Sequence, residues 1–191
     1  MEPPSNVKLS AEASADANAM HVRYTLQNAS GQDVYVLNGQ VVVDRASRTA
    51  SVSTTRYSLF ASGPDEATVV VGVPRLPVKK TVTQRIVPLG IKLAAGATLK
   101  QDLDPIPLPL AEESPYATLE EERDMTSVPI HRVWLAVHFV PASTPGLVIE
   151  SVDYDTRYVE VRPPNPGTDV KESRVSLMQK DATLRILPTS R

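Results

Sequence analysis

The chain has 191 residues, of which 41% are hydrophobic and 22% are charged, and its formal net charge is −2 at pH 7. This length and composition fit a single globular domain spanning residues 1–191 with a substantial buried core. The absence of cysteine excludes disulfides, thiolate metal sites and cysteine nucleophiles. The lysines and arginines form no basic cluster, so we do not expect nucleic acid to be a partner.

The sequence shows no signal for membrane insertion or export. Its first residues, MEPPSNVKLS, lack the basic and apolar regions of a signal peptide. No run of about 18 apolar residues occurs, so we expect no membrane span. The expected location is cytoplasmic by default, or periplasmic or secreted if a leader was removed.

The sequence pattern of the first half of the chain predicts a series of strands. The even-numbered residues from Met20 to Leu26 are apolar and alternate with polar residues, which is typical of a half-buried antiparallel strand. Asn38-Gly39 stands between two apolar runs and predicts the type I′ turn of a hairpin. The uncharged run ATVVVGV predicts an interior strand, or one covered by a partner chain.

Two segments depart from this pattern. DPIPLPL has prolines at 105, 107 and 109, which cannot donate to a β-ladder, and it predicts an edge strand or an extended crossing segment. SPYATLEEERDMTS predicts a short helical or loop insertion within residues 112–128. A helix could start at Ser114-Pro115, or at the capping box that Thr118 forms with Glu121.

The stretch PIHRVWLAVHFVP contains the only tryptophan and two of the three histidines. The odd-numbered residues from Val133 to Phe139 are apolar, and we assign them to the core. The opposite face, which carries Trp134 and His138, is not typical of a solvated surface. We expect the insertion at 112–128 to cover it; the alternative is that it forms part of a partner surface.

The two histidines of this stretch, His131 and His138, are seven residues apart. In a regular strand they should face opposite sides and lie roughly 23 Å apart. The sequence therefore predicts that they do not share a metal ion.

Catalytic motifs are missing from the sequence. GxSxG, GxGxxG, GxxxxGK[ST] and HExxH are all absent, so we expect no enzyme activity, no cofactor, and no catalytic or metal-binding residues. Two acidic pairs, Asp102/Asp104 and Asp153/Asp155, have a spacing that suits calcium, although the EF-hand pattern is missing. Solvated loop aspartates are the favoured interpretation of both pairs, with calcium binding or a hydrolase built on these carboxylates left open.

VKLSAEASADANAMHVRYTLQNASGQDVYVLNG resembles the opening strands of bacterial immunoglobulin-like domains. LAAGATLKQDLDPIPLPL resembles their middle segment, and RVWLAVHFVP resembles their long central strand. A more distant similarity is to the intracellular proteinase-inhibitor type of sandwich. The resemblance implies an all-β, antiparallel immunoglobulin-like β-sandwich with a proline-rich crossing segment and one short helical insertion, and it implies no functional residue.

The expected function is that of a non-enzymatic binding or structural module that acts on a protein partner through loops or an edge strand. The candidate interaction surface consists of four residues: Trp134, His138, Ile106 and Leu108. The alternative is a proteinase inhibitor that presents a rigid proline-rich loop, either 104–110 or 162–168.

Overall fold

The computed structural model of the chain describes residues 6–44, 46–77, 82 and 86–187. These residues form fourteen strands and two short helices. The strands are β1 (Val7–Ala15), β2 (Ala19–Asn28), β3 (Val34–Asp44), β4 (Thr49–Ser53), β5 (Ser58–Gly63), β6 (Glu66–Val71), β7 (Leu89–Leu93), β8 (Thr98–Asp102), β9 (Ile106–Pro107), β10 (Leu110–Ala111), β11 (Thr126–Pro141), β12 (Val148–Ser151), β13 (Tyr158–Arg162) and β14 (Lys171–Ile186). The helices are α1 (Leu119–Arg123) and α2 (Pro166–Asp169), so the described residues contain no helix that could cross a membrane.

The strands form two sheets, which confirms the prediction of a β-rich chain. Over the described residues, β1, β2, β8 and β9 make a four-stranded antiparallel sheet. A ten-stranded sheet follows the path β10-β14-β11-β3-β7-β13-β12, with β4 joined to β3, β6 joined to β11 and β5 joined to β6. The β6–β11 and β10–β14 pairs are parallel, so this sheet is mixed, whereas the expected fold was purely antiparallel.

The main core lies between the two sheets. Tyr24 and Leu26 of β2 contribute to it from the small sheet, and Leu135 contributes from the large one; all three are fully buried. The predicted alternation of β2 is confirmed, as is the assignment of residues 133, 135, 137 and 139 to the core. These alternating side chains fix which face of each strand points inward.

The first five residues of the run ATVVVGV lie in β6, which is placed between β5 and β11. Val69 and Val71 point into the main core, and Val70 is buried on the opposite side of the sheet. The prediction of an interior strand is therefore confirmed. A strand buried on both faces reads as a continuous apolar run rather than an alternating one.

The turn predicted at Asn38-Gly39 is wrong. Both residues lie inside β3 and are buried. A Cβ atom at Gly39 would lie 2.8 Å from Cδ1 of Tyr158 and 2.9 Å from Cβ of Leu89, so glycine is needed for close packing rather than for a turn. The β3–β4 hairpin turns after Asp44 instead.

The proline-rich segment contacts both sheets. Ile106–Pro107 pairs with β2 in the small sheet, and Leu110–Ala111 pairs with β14 in the large one. Because proline has no N–H to donate, neither stretch extends beyond two residues. The peptide bond between Leu108 and Pro109 is cis.

The only helix that the structure describes between residues 112 and 128 is α1, and the Thr118–Glu121 capping box forms at its start. The amide of Thr118 donates to Oε2 of Glu121 at 2.9 Å, and the amide of Glu121 donates to Oγ1 of Thr118 at 3.3 Å. Ser114 opens a turn rather than a helix, since its carbonyl accepts a bond from the amide of Ala117 at 3.0 Å. Of the two possible starts, the capping box is the one that the chain uses.

Candidate functional site

A bulge in β11 determines where its two histidines point. The carbonyl of Asp65 accepts hydrogen bonds from two consecutive amides, those of His131 (2.7 Å) and of the next residue (3.2 Å). Ile130 and Val133 both reach the main core, although a regular strand would place them on opposite faces. His131 therefore lies on the same outer side of the sheet as His138, and the prediction of opposite faces is wrong.

The His138 ring is held at both nitrogens. Its Nδ1 accepts a hydrogen bond from the amide of Val73 at 3.1 Å. Its Nε2 lies 3.5 Å from Oε2 of Glu172, and hydrogen bonding to His138 lowers the pKa of that carboxyl group. This arrangement requires the tautomer protonated at Nε2. Neither nitrogen is left to bind a metal or to act as a base on a substrate.

Two arginines lie against the indole ring of Trp134 on the outer side of the sheet. The guanidinium carbon of Arg174 lies 4.5 Å from the indole centroid, and that of Arg132 lies 6.0 Å away. Glu66 lies 3.3 Å from a guanidinium nitrogen of Arg132 and 3.6 Å from one of Arg174. Cation–π contacts and ion pairs thus cover the indole with side chains of the same sheet.

We expected the segment 112–128 to cover the outer face of β11, but none of the contacts given above for Trp134 and His138 comes from that segment. The contacts given above for Trp134 come from β11 itself and from β14. Those for His138 come from β14 and from the turn that follows β6. The contacts to these two side chains therefore come from neighbouring strands and from the turn at Val73.

The other two residues of the candidate surface lie in the proline-rich segment. Ile106 is 0% exposed and belongs to the main core, and Leu108 packs against that core while half-buried. The amide of Leu108 donates to the carbonyl of Asn18 at 2.7 Å, which ties the segment to the small sheet. In the folded chain Ile106 is a packing residue.

Two adjoining cavities of 430 and 340 Å³ lie on the outer side of the large sheet. Val73, Pro74, Pro166 and Val170 line both of them. This size is in the range of small-molecule sites, which usually add a few converging polar groups. The polar groups at the two ends, His138 and Arg162, are engaged with carboxylates of the chain itself.

Glu113 is the one carboxylate of the described residues whose pKa is raised, and burial is the main cause. It lies beside a cavity of 50 Å³ that Ser58 and Arg75 also line. Such a volume holds a few water molecules rather than a substrate.

One aspartate of each acidic pair is bonded to an arginine. Asp102 bonds Arg23 at 2.6 Å, and Asp155 bonds Arg157 at 2.8 Å, and each arginine lowers the pKa of its partner. Within the described ranges, no three His, Asp or Glu side chains are grouped as a metal site would require.

The strand β12 presents an open edge of the large sheet that carries apolar side chains. It is the last strand of the ten-stranded path and pairs only with β13. All four of its residues are exposed, with Val148 at 47% and Ile149 at 37%. On its outer side, backbone N–H and C=O groups of alternate residues have no strand beside them among the described residues.

The edges of the small sheet differ from β12 in their charge. Lys8 and Glu12 are exposed on β1, and Lys100 and Asp102 are exposed on β8. Charged side chains, lysine above all, are the usual protection of an edge against strand addition. β12 has no lysine or arginine, and the run GLVIESV around it predicts a strand but not its position at the edge of a sheet.

Comparison with known proteins gave no match: no family model matches the sequence, and no curated protein or solved structure is significantly similar to it.

Proposed function

We propose that the chain is a non-enzymatic protein-binding module that takes up an extended segment of a partner protein as an additional strand on β12. The single observation that carries this proposal is the open edge of β12, with two exposed aliphatic side chains and no basic residue. Strand addition to such an edge is a recurring mode of peptide recognition, in which main-chain hydrogen bonds supply the affinity.

The energetics favour weak, reversible binding. A strand beside β12 would pair the outward N–H and C=O groups of this short edge. It would also bury Val148 and Ile149 on opposite faces, each contributing roughly 1 kcal/mol because each is only partly exposed at the outset. Ordering the partner segment costs part of this gain.

We also propose an immunoglobulin-like architecture for the two sheets. In support, a shared core fills the space between them, and the proline-rich segment pairs with both. The chain would then expose at β12 an edge of the larger sheet, away from the β1 and β8 edges of the smaller one.

The experiment is a selection of displayed nine-residue peptides on the immobilised full chain, followed by amide exchange of the complex. We expect the selected peptides to slow exchange at residues 148–151. Ile149→Lys places a charge on this edge and should abolish binding, whereas Ser10→Lys, the matched change on β1, should leave it intact. Peptides that protect a different surface, or that bind Ile149→Lys as well as they bind the original chain, would refute the proposal.

A further inference from the structure

The side chain of Glu150 belongs to a group with a net negative charge. Glu150 lies directly opposite Glu160 in the β12–β13 pair, an arrangement that is unfavourable for two like charges. Arg162 relieves it by bonding Glu160 and by placing Nη1 3.0 Å from Oε2 of Glu150. One guanidinium therefore serves two carboxylates, and the group as a whole retains one negative charge.

This acidic group shares a face with Val148. Val148 lies opposite Arg162, and Ile149 lies opposite Val161 on the other face. A strand added beside β12 would meet Val148 and the carboxylate of Glu150 on one face of the sheet. It would meet Ile149 on the opposite face. Directly opposed side chains in adjacent strands lie about 4.5–5.5 Å apart, which is close enough for pairwise preferences to act.

Building on the proposed function, we propose that the partner segment carries two aliphatic residues next to a lysine or arginine, and that this basic side chain pairs with Glu150. The charge complementarity rests on Glu150 being half-exposed at the open edge while Arg162 is shared with Glu160. Arg162 is the one cation that the described residues bring to this pair of carboxylates, and a basic residue on the added strand would supply a second.

The same charge disfavours a second copy of the chain as the occupant. Pairing two β12 edges would bring two of these acidic groups together, each with Glu150 and Glu160 sharing one arginine. Like charges that face each other across strands are destabilising. The open edge and its charge together therefore point to a different protein with a basic residue in its docking segment.

The test uses the peptides GSVVXVVSG, in which X is Lys, Gln or Glu, labelled with a fluorophore and titrated with the full chain at low salt. The symmetric host allows either strand direction. We expect the Lys peptide to bind about 2- to 5-fold more tightly than the Gln peptide, and the Glu peptide to bind more weakly by a similar factor. Added salt should reduce these differences.

Glu150→Gln should remove the difference between the Lys and Glu peptides, because Glu160 and Arg162 then balance each other, whereas Glu12→Gln, the same charge change on β1, should preserve it. Equal binding of all three peptides with amide protection at residues 148–151 would overturn the charge inference and leave strand addition standing. Absence of protection at these residues with every peptide would overturn both. A dimer in sedimentation that Ile149→Lys dissociates would assign the edge to a second copy and also overturn the inference.

Discussion

The amide of Val73 donates a hydrogen bond of 3.1 Å to Nδ1 of His138, and this bond ties the turn after β6 to the centre of β11. Gly72 brings the two segments together: a Cβ atom there would lie 2.5 Å from Cβ of His138. A histidine in the middle of an apolar stretch thus has a structural task, since it satisfies a part-buried backbone donor.

We predict that Gly72→Ala destabilises the chain by about 2–4 kcal/mol, because alanine would adopt a φ of +143° and collide with the His138 ring. Urea unfolding measures the effect. Gly167→Ala is the control, since nothing lies within 4 Å of the Cβ position there. Equal stability of the two variants would show that the approach at Gly72 is not tight.

His138→Asn should be milder than His138→Ala. The Oδ1 atom of asparagine can take the place of Nδ1 as the acceptor for the Val73 amide, whereas alanine leaves that donor unpaired at a cost of about 1–3 kcal/mol. The rate of amide exchange at Val73 reports the bond itself. If both variants lose protection at Val73 to the same extent, then the acceptor is not what holds the turn.

The loss of folding stability at acid pH should depend on Glu172. Hydrogen bonding to His138 lowers its pKa below the ordinary value of 4.5, so its contribution is complete above that pH and is lost as the pH falls through the lower, folded-state pKa. The free energy of unfolding of Glu172→Gln should therefore fall less steeply than that of the original chain as the pH drops below about 5, where ordinary carboxyl groups begin to be protonated. Asp124→Asn, a change at an exposed residue outside this pair, is the control; similar curves for Glu172→Gln and the original chain would contradict the assignment.

Val71→Lys should cost about 2–4 kcal/mol, because it buries an unpaired charge in the core between the sheets. Val43→Lys is the matched change in the β3–β4 hairpin, where the valine is 57% exposed, and it should be close to neutral. Thermal unfolding of both variants checks the interior position of β6. A neutral Val71→Lys would mean that β6 is not a core strand.

The features that the sequence predicted correctly depend on neighbouring residues. The alternation of residues 20–26 and 133–139 follows from the two-residue period of a strand whose one face is buried. The capping box at Thr118 and Glu121 lies within one helical turn. The structure that such a pattern forms is determined by residues close together in the sequence, so it can be predicted without knowing the distant contacts.

The predictions that were wrong depend on residues far away in the chain. Gly39 is required by the packing of Tyr158. The side of the sheet on which His131 lies is set by a bulge, in which its amide bonds the carbonyl of Asp65. The exposure of β12 depends on β13 pairing with β7, which places β12 last in the sheet. A strand run such as LVIES predicts a strand, but not its place in the order.

The most direct measurement of strand addition is a set of interstrand NOEs between the labelled chain and an unlabelled bound peptide, GSVVKVVSG. We predict cross-peaks from the peptide backbone to the backbone of β12, in the alternating pattern of paired strands. Val148 and Glu150 should contact one face of the peptide, and Ile149 the other. Cross-peaks confined to the cavities around Val73 and Val170, with none to residues 148–151, would contradict the proposal that β12 is the binding edge.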